Sequence, residues 1–278
     1  MEQRNTFLAS DGQSLAHAAR QRPATTRRLA IRRTYSQPRP RHPAVAAGLV
    51  LALGAMTAPY RFSIAQFTEH FRGQLAEIER VQSEQFRQTL LCLVLDPLAT
   101  AAYPNAGSRT GVVRLLQELA GWQDAQRVSR PQLRLALRSE GHAKGSLYPK
   151  VVNHMRLQPV RDKMLLSASP LYGDLEPYVT DKGELKLLNL CTYSHLFYTF
   201  RSNLVHEFRT PGYQTDWGRG SNEPYYGKSA YDKYQLVFPV AFVSRLAHES
   251  LRRLEIHMLA NKIAPHSKFT FGSLWRWR

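Results

Sequence analysis

The stretch that decides the fold spans residues 181–212 and reads DKGELKLLNLCTYSHLFYTFRSNLVHEFRTPG. It predicts one long helix with a marked beginning and end. Asp181 and Glu184 form a capping-box-like start, because each carboxylate can accept a free backbone N–H of the first turn. Pro211 and Gly212 end the helix, since proline cannot continue the hydrogen-bond ladder and glycine readily takes a left-handed cap. Such a helix has about 26 residues and a length of about 39 Å.

At about 100° per residue, this predicted helix has a wide aromatic face and a polar face. The aromatic face consists of Tyr193, Phe197, Phe200, Leu204 and Phe208. The polar face consists of His195, Thr199, Ser202, His206 and Arg209. Arg201 and Val205 lie at the border between the two faces. The aromatic face predicts that the helix is central to a core, whereas the polar face is either a set of catalytic groups or simply the side that faces solvent.

The composition favours a polyanionic partner. The chain has 278 residues, which is enough for one or two domains with a substantial core. Its formal net charge is +17. Nine arginines and two acids lie in residues 1–60, and the rest of the chain has 29 basic against 19 acidic residues, so the body is basic in its own right. Nucleic acid is the simplest partner, and an acidic membrane surface is the alternative.

The cysteines bear on the compartment. Cys92 and Cys191 lie in apolar, helical surroundings, which favours two buried thiols in a reducing cytoplasm and leaves a disulfide as the alternative. The sequence has no zinc-like cysteine spacing. We therefore expect a cytoplasmic protein with no membrane partner.

Composition divides the chain into three parts. Residues 1–59 are predicted to be a disordered Arg- and Pro-rich segment that ends in a short apolar run, Ala44–Met56. The run is too short to span a bilayer. The Arg-rich, acid-poor segment is typical of an organellar transit peptide; alternatively, translation starts at Met56. Residues 60–264 are predicted to be a helical domain, and residues 265–278 a basic tail.

The other periodic segments of the domain are helical as well, so the predicted class is all-α. A helix is predicted from Ser63, which forms a capping box with Gln66, to Asp96–Pro97. Ser129 starts another, with proline in the first turn. A strand near residues 235–243 is the open alternative. Further helices are predicted near 110–124, 148–157 and 238–262, with loops at 103–108, 139–147, 158–181 and 213–234.

The loop at 213–234 interleaves rings with cations. The rings are Tyr213, Trp217, Tyr225, Tyr226, Tyr231 and Tyr234. The cations are Arg219, Lys228 and Lys233. Such a mixture can stack bases and hold phosphates, or the rings can simply pack the loop onto the body.

The chemistry that the sequence permits is RNA cleavage without a metal ion or cofactor. Nucleotide-binding loops and the usual hydrolase motifs are absent, and the sparse carboxylates disfavour a two-metal nuclease. Histidine can take a proton from a ribose 2′-OH or give one to the leaving 5′-oxygen, because its pKa lies near neutrality. Arginine can hold the scissile phosphate through its fork of donors. The products would be a 2′,3′-cyclic phosphate and a 5′-hydroxyl.

Residues 200–209, FRSNLVHEFR, resemble the motif helix of the HEPN-domain superfamily. In that superfamily an Arg, four to six residues and a His mark a metal-independent ribonuclease site. Its members include bacterial toxins, phage and CRISPR defence effectors and eukaryotic RNA-decay enzymes. The resemblance implies a HEPN-like helical bundle, usually dimeric, with two Arg/His pairs in one cleft at the interface. Carried onto this chain, Arg201 and His206 are the catalytic pair. The neighbouring substrate-binding residues are Ser202, Asn203 and Arg209.

A second pair, Arg252 and His257, has the same spacing. The first pair is preferred because it lies late in the aromatic helix, is followed by a short polar segment, and precedes a loop that can cover a cleft. The sequence departs from the family pattern at one position: the residue after the arginine is often Asn, Asp or His, and here it is Ser202. Residues five apart lie about 140° apart around a helix, which favours a site shared between two copies.

We therefore expect a metal-independent endoribonuclease, as a toxin or defence effector, that acts on single-stranded RNA as a homodimer. Any antitoxin or regulator would be a separate protein. One alternative is a non-catalytic HEPN-like module that binds RNA or a protein. Another is a structural or regulatory helical protein whose charge keeps it in solution or near membranes.

Overall fold

The computed structural model describes residues 59–209, 221–228 and 234–265. Within these ranges the fold is mostly helical, which confirms the predicted class in its coarse form. The helices are α1 (Pro59–Glu79), α2 (Glu84–Ala102), α3 (Ser108–Arg114), α4 (Arg130–Ser139), α5 (Leu147–Leu157), α6 (Tyr172–Leu175), α7 (Lys182–Leu190), α8 (Tyr193–Glu207) and α9 (Val240–Asn261). A π-helical turn, Leu115–Leu119, continues α3. Nearly all of the predicted N-terminal segment and basic tail lies outside the described residues.

The described residues also contain a small antiparallel sheet in the order β1-β2-β3. Its strands are β1 (Met164–Leu165), β2 (Tyr225–Lys228) and β3 (Tyr234–Val237). The alternative of a strand near residues 235–243 is therefore correct for its first part. The aromatic loop predicted at 213–234 contains β2, where Tyr225 and Tyr226 are buried. These two rings pack onto the body, and most of the other residues of that loop lie outside the described ranges.

The prediction of one helix over residues 181–212 is wrong, because the chain breaks at Cys191 and Thr192. Thr192 has an extended backbone, with φ −68° and ψ 151°. Here the chain pairs with the segment before α4: the Ser129 N–H donates to the Cys191 carbonyl, and the Tyr193 N–H donates to the Arg127 carbonyl, both at 2.9 Å. These tertiary hydrogen bonds satisfy backbone groups that a continuous helix would have paired within itself.

The ends of α8 also differ from the prediction. The helix ends at Phe208, which is in the left-handed region with φ 53°. Phe208 is 51% exposed, so its assignment to the buried aromatic face is wrong. The predicted terminators, Pro211 and Gly212, lie outside the described residues. At the start of α7, Asp181 accepts the Glu184 N–H at 2.9 Å, which confirms the Asp181 half of the predicted capping box, whereas the Glu184 carboxylate accepts the Thr180 N–H at 2.8 Å.

The helix predicted from Ser63 to Asp96 is likewise two helices. α1 begins at Pro59, so Ser63 lies inside it and is not a cap. After the break at residues 80–83, the Ser83 hydroxyl caps α2. α2 then continues through Pro97 to Ala102, beyond the predicted end. Proline removes the N–H that would bind the carbonyl of Leu93, and Leu93 lies at the surface, where water can replace it.

Two apolar cores organise the described residues. The larger lies among α1, α2, α8, α9 and the turn after α3. Its aromatic cluster consists of Trp122, Phe197, Phe200, Phe238 and Phe242. The smaller core lies among α4, α5 and α7.

The aromatic face of α8 is otherwise confirmed, because its four remaining members are at most 1% exposed. The predicted N-cap Ser129 is also confirmed, since its Oγ accepts the Gln132 N–H at 3.3 Å.

Both cysteines are buried free thiols, as predicted. Burial raises the pKa of Cys92 and of Cys191 to about 12, so both thiols are neutral near pH 7. Among the described helices, none has the length and apolar character needed to cross a bilayer.

Candidate functional site

Arg201, the arginine of the predicted pair, lies on the inner border of α8 and is 4% exposed. Its guanidinium forms an ion pair with Asp96 of α2, whose side chain is 30% exposed. Burial lowers the pKa of Arg201, but arginine keeps its charge in proteins. Its Nε has no hydrogen-bond partner among the described residues. The cation is therefore held by one carboxylate and retains an unused donor.

The ring of Tyr198 lies near two guanidinium groups, those of Arg201 and Arg109. The guanidinium carbon of Arg201 lies 5.8 Å from the centre of the Tyr198 ring, and that of Arg109 lies 5.1 Å from it. Both distances are within the range of cation–π attraction. Arg109 is exposed at the start of α3. The half-buried ring therefore lies within cation–π distance of one exposed and one buried arginine.

His206, the histidine of the predicted pair, is exposed on α8. Within the described ranges it has no hydrogen-bond or ion-pair partner. Its imidazole can therefore meet a ligand or a second molecule. The five-residue spacing sets it about 140° around the helix from Arg201. The structure does not bring the two side chains together within one copy of the chain.

The three predicted substrate-binding residues differ in their exposure to solvent. Ser202 and Asn203 are half-buried. Arg209 is exposed and forms an ion pair with Glu207. The Asn203 carbonyl accepts the Phe208 N–H at the end of the helix. Around α8, Ser202 lies about 40° and Asn203 about 60° from His206, whereas Arg209 follows the end of the helix.

An exposed aromatic pair lies at the same end of α8. The rings of Phe86 and Phe208 are 5.3 Å apart, and the two residues are 53% and 51% exposed. Gln85 donates to the Phe208 carbonyl at 2.9 Å, which ties this end of α8 to the start of α2. Exposed rings held in a fixed position are common at protein interfaces.

His195, the other histidine of α8, has a different environment. It is half-buried, and its Nδ1 lies 2.9 Å from the Thr192 hydroxyl at the helix start. Burial lowers the pKa of His195, and the charge of Arg109 lowers it further. His195 is therefore held as a neutral imidazole near pH 7.

The second Arg/His pair belongs to a surface network on α9. Arg252 donates to both carboxylate oxygens of Glu249, at 2.8 and 2.6 Å. Hydrogen bonds from Arg252 and Arg253 lower the pKa of Glu249 to about 2. His257 lies 3.3 Å from the amide of Asn261. Arg252 is thus committed to a surface carboxylate, and the preference for the α8 pair remains a prediction.

One group of three side chains in the described part of the chain has the spacing of metal ligands. The ligand atoms of His142, Asp181 and Glu184 lie within 4.8 Å of one another. Asp181 already caps α7, and Glu184 accepts two hydrogen bonds from Thr180, at 2.8 and 2.9 Å. The group lies at the start of α7 and shares no residue with the Arg201/His206 pair.

Comparisons of this chain with models of protein families, with curated proteins and with solved structures find no significant match. The HEPN resemblance therefore remains a prediction from residues 200–209.

Sequence reasoning did not identify three residues around Arg201. Asp96 was interpreted as a helix end because proline follows it, whereas it is the counter-ion of Arg201. Arg109 is distant in sequence, and Tyr198, three residues before Arg201 on α8, belongs to no motif. The border position of Arg201 was the one available signal, since a cation that turns toward a core requires an acidic partner.

Proposed function

We propose that the protein is a metal-independent endoribonuclease of the HEPN type that acts on single-stranded RNA as a homodimer. The observation that supports it best is the exposed imidazole of His206 in the Arg-x4-His segment of α8, which has no partner among the described residues. An imidazole in this state can take the proton of a ribose 2′-OH or protonate the leaving 5′-oxygen. The RNA itself supplies the nucleophile, so the protein has to provide only position and proton transfer.

Arg201 is proposed to hold the scissile phosphate. In the described part of the chain its Nε has no hydrogen-bond partner, and its carboxylate partner, Asp96, is partly exposed. A phosphate oxygen can replace a carboxylate oxygen on the guanidinium fork, because both anions match its geometry. Asp96 would keep the arginine oriented until RNA displaces it.

The proposed cleft is shared by two copies. His206 and Arg201 diverge around α8, so a histidine of one copy and an arginine of the other would face one phosphate. The Phe86 and Phe208 rings next to His206 would form part of the apolar contact between copies. A toxin or defence role, with a separate antitoxin or regulator, is part of this proposal and comes from the family resemblance alone.

A second candidate function is RNA binding without cleavage. The burial of Arg201 favours it, because a guanidinium that is 4% exposed and ion-paired can serve the fold alone. The net charge of +17 would then supply affinity for the phosphate backbone.

The test uses the full chain as wild type, His206→Ala and His257→Ala. Each protein is incubated with end-labelled single-stranded RNA in EDTA, and the product ends are mapped. The proposal predicts 2′,3′-cyclic phosphate ends from the wild type and from His257→Ala. It predicts a rate at least about 100-fold lower for His206→Ala, the usual contribution of a general acid or base. Equal cleavage by all three proteins would contradict the proposed site. Salt-sensitive RNA binding by the wild type without cleavage would select the second candidate.

A further inference from the structure

A pocket of about 590 Å³ lies between the helices α4 and α5 and the segment that leads to α6. Its basic side chains are Arg127, Arg130, Arg161 and His154. Asp174 is the one carboxylate among the described residues that line it. Asp174 is exposed and accepts the Leu171 N–H at 2.9 Å. The lining therefore has a clear excess of positive charge.

Arg130 is the unusual member of this lining, because it is fully buried. One terminal nitrogen, Nη1, donates to the His154 carbonyl at 3.1 Å and to Gln158 Oε1 at 3.4 Å. Among the described residues, the one partner of the other nitrogen, Nη2, is the sulfur of Met164 at 3.9 Å. The Nε is buried without a partner, and in the described part of the chain no carboxylate forms an ion pair with Arg130. A buried cation without a counter-ion is costly.

The groups behind Arg130 cannot supply its counter-ion. Ser129, Tyr226, Tyr193 and Ser169 form a chain of hydroxyls with successive O···O distances of 2.7, 3.1 and 2.7 Å. Burial raises the pKa of both tyrosines, so their hydroxyls stay neutral. Of these residues Ser169 also lines the pocket, and the neutral hydroxyls leave the charge of Arg130 uncompensated.

The other side chains add donors at the pocket. Arg127 donates from Nε to Asp124 at 2.8 Å and from Nη1 to the Ser169 carbonyl at 2.7 Å. These bonds fix its guanidinium and leave Nη2 without a described partner. Arg161 and Ser167 are exposed on the lining. A ligand would thus meet the buried Arg130 and the hydrogen-bonded Arg127 together with the exposed Arg161 and Ser167.

We propose that this pocket binds the phosphoryl group of a phosphate monoester, with Arg130 as the buried anchor and Arg127 and Arg161 as further donors. A phosphoryl dianion has several acceptor oxygens and matches the guanidinium fork. The group can belong to a free phosphorylated small molecule or to the 5′ end of an RNA, and the chemistry is the same in both. The site is separate from α8 and does not depend on RNA cleavage.

The test measures binding of inorganic phosphate to the full chain by isothermal titration calorimetry at constant ionic strength. The variants are Arg130→Gln and Arg161→Ala. The control is Arg134→Ala, which removes an exposed arginine of α4 that does not line the pocket. We expect the dissociation constant to rise at least about tenfold for Arg130→Gln and about threefold for Arg161→Ala, and to be unchanged for Arg134→Ala.

Because Arg130→Gln alters a fully buried side chain, circular dichroism checks the fold in each titration. Arg161→Ala changes an exposed residue and tests the proposal on its own. Wild-type affinity for phosphate in a folded Arg161→Ala variant would overturn the proposal. So would an absence of phosphate binding by the wild type, or an equal loss in Arg134→Ala.

The source of the phosphoryl group is identified with two RNAs of one sequence, one with a 5′-phosphate and one with a 5′-hydroxyl. Tighter binding of the phosphorylated RNA, with competition by inorganic phosphate, would support the site and assign it to RNA ends. Equal binding of both RNAs, together with phosphate binding that needs Arg161, would support the site and assign it to a free phosphorylated molecule.

Discussion

At the scale of single residues, the Arg201–Asp96 ion pair is the strongest constraint on the proposed site. A buried guanidinium without its carboxylate would be an uncompensated charge, so Asp96 has a structural role whatever the chemistry. The proposed nuclease adds a second role, because the same carboxylate would release Arg201 to the phosphate. Measurements of stability therefore test the structural role of the Arg201–Asp96 pair, and measurements of cleavage test its proposed role in binding the phosphate.

Asp96→Asn is expected to lower the free energy of unfolding by about 2 kcal/mol, because it leaves Arg201 buried with a neutral partner. This is below the usual cost of breaking a buried pair, since Asp96 is partly exposed. Urea unfolding measures the change. Glu77→Gln, which breaks the exposed pair with Arg80, is the control and is expected to cost less than about 0.5 kcal/mol. Equal losses of unfolding free energy in the two variants would show that the Asp96 pair stabilises the fold no more than an exposed ion pair does.

Two glycines are expected to respond to alanine with opposite signs. Gly121 has φ +68°, where an L side chain is strained, so Gly121→Ala should destabilise by about 1–2 kcal/mol. Gly73 lies inside α1 with open space around its Cα, so Gly73→Ala should stabilise by about 0.5–1 kcal/mol. Thermal unfolding of both variants checks the signs. A stabilised Gly121→Ala would contradict the left-handed backbone at that position.

At the scale of elements, the break between α7 and α8 shows what local patterns leave out. The apolar spacing of residues 181–207 continues across Cys191 and Thr192, so periodicity predicts one helix. The break depends on hydrogen bonds to the segment before α4, more than 60 residues earlier, which no local pattern contains. The N-cap of α4 and the buried face of α8 depend on neighbouring residues, and for that reason the sequence was sufficient to predict them.

The candidate site likewise has features that the sequence predicts and features that depend on distant residues. The divergence of Arg201 and His206 follows from their spacing and was predictable. The partner of Arg201 was not, because Asp96 lies on another helix. The pocket around Arg130 gave no sequence signal either, since an arginine in the first turn of a helix is ordinarily solvated, and its burial arises from α5 and the segment after it.

The start of α8 is expected to be pH-sensitive through His195. Its pKa is lowered in the folded state, so the unfolded chain binds more protons below the ordinary histidine value of about 6.5. The contribution to stability is complete above that value and is lost as the pH falls through the lowered pKa. The wild type should therefore lose more free energy of unfolding between pH 7.5 and 5 than His195→Asn. Urea unfolding at the two pH values measures the difference, and identical losses would contradict the effect of burial.

At the scale of the whole molecule, the proposed dimer depends on the exposed rings at the end of α8. Phe208→Ser is expected to weaken self-association at least about tenfold, as removal of a central aromatic contact usually does. Analytical ultracentrifugation over a concentration series measures it. Leu135→Ser, which removes an exposed apolar side chain of α4, is the control and should leave association unchanged. A monomeric wild type would contradict the shared cleft.

In the proposed dimer, Arg201 of one copy and His206 of another form one catalytic site. The most direct measurement is RNA cleavage in EDTA by Arg201→Lys, by His206→Ala and by an equimolar mixture of the two full-length variants. A mixed dimer keeps one intact site of two, and mixed dimers make up half of the population after free exchange. A shared site predicts nearly inactive single variants and a mixture with about a quarter of the wild-type rate. A mixture no more active than either variant, beside an active wild type, would contradict the shared site.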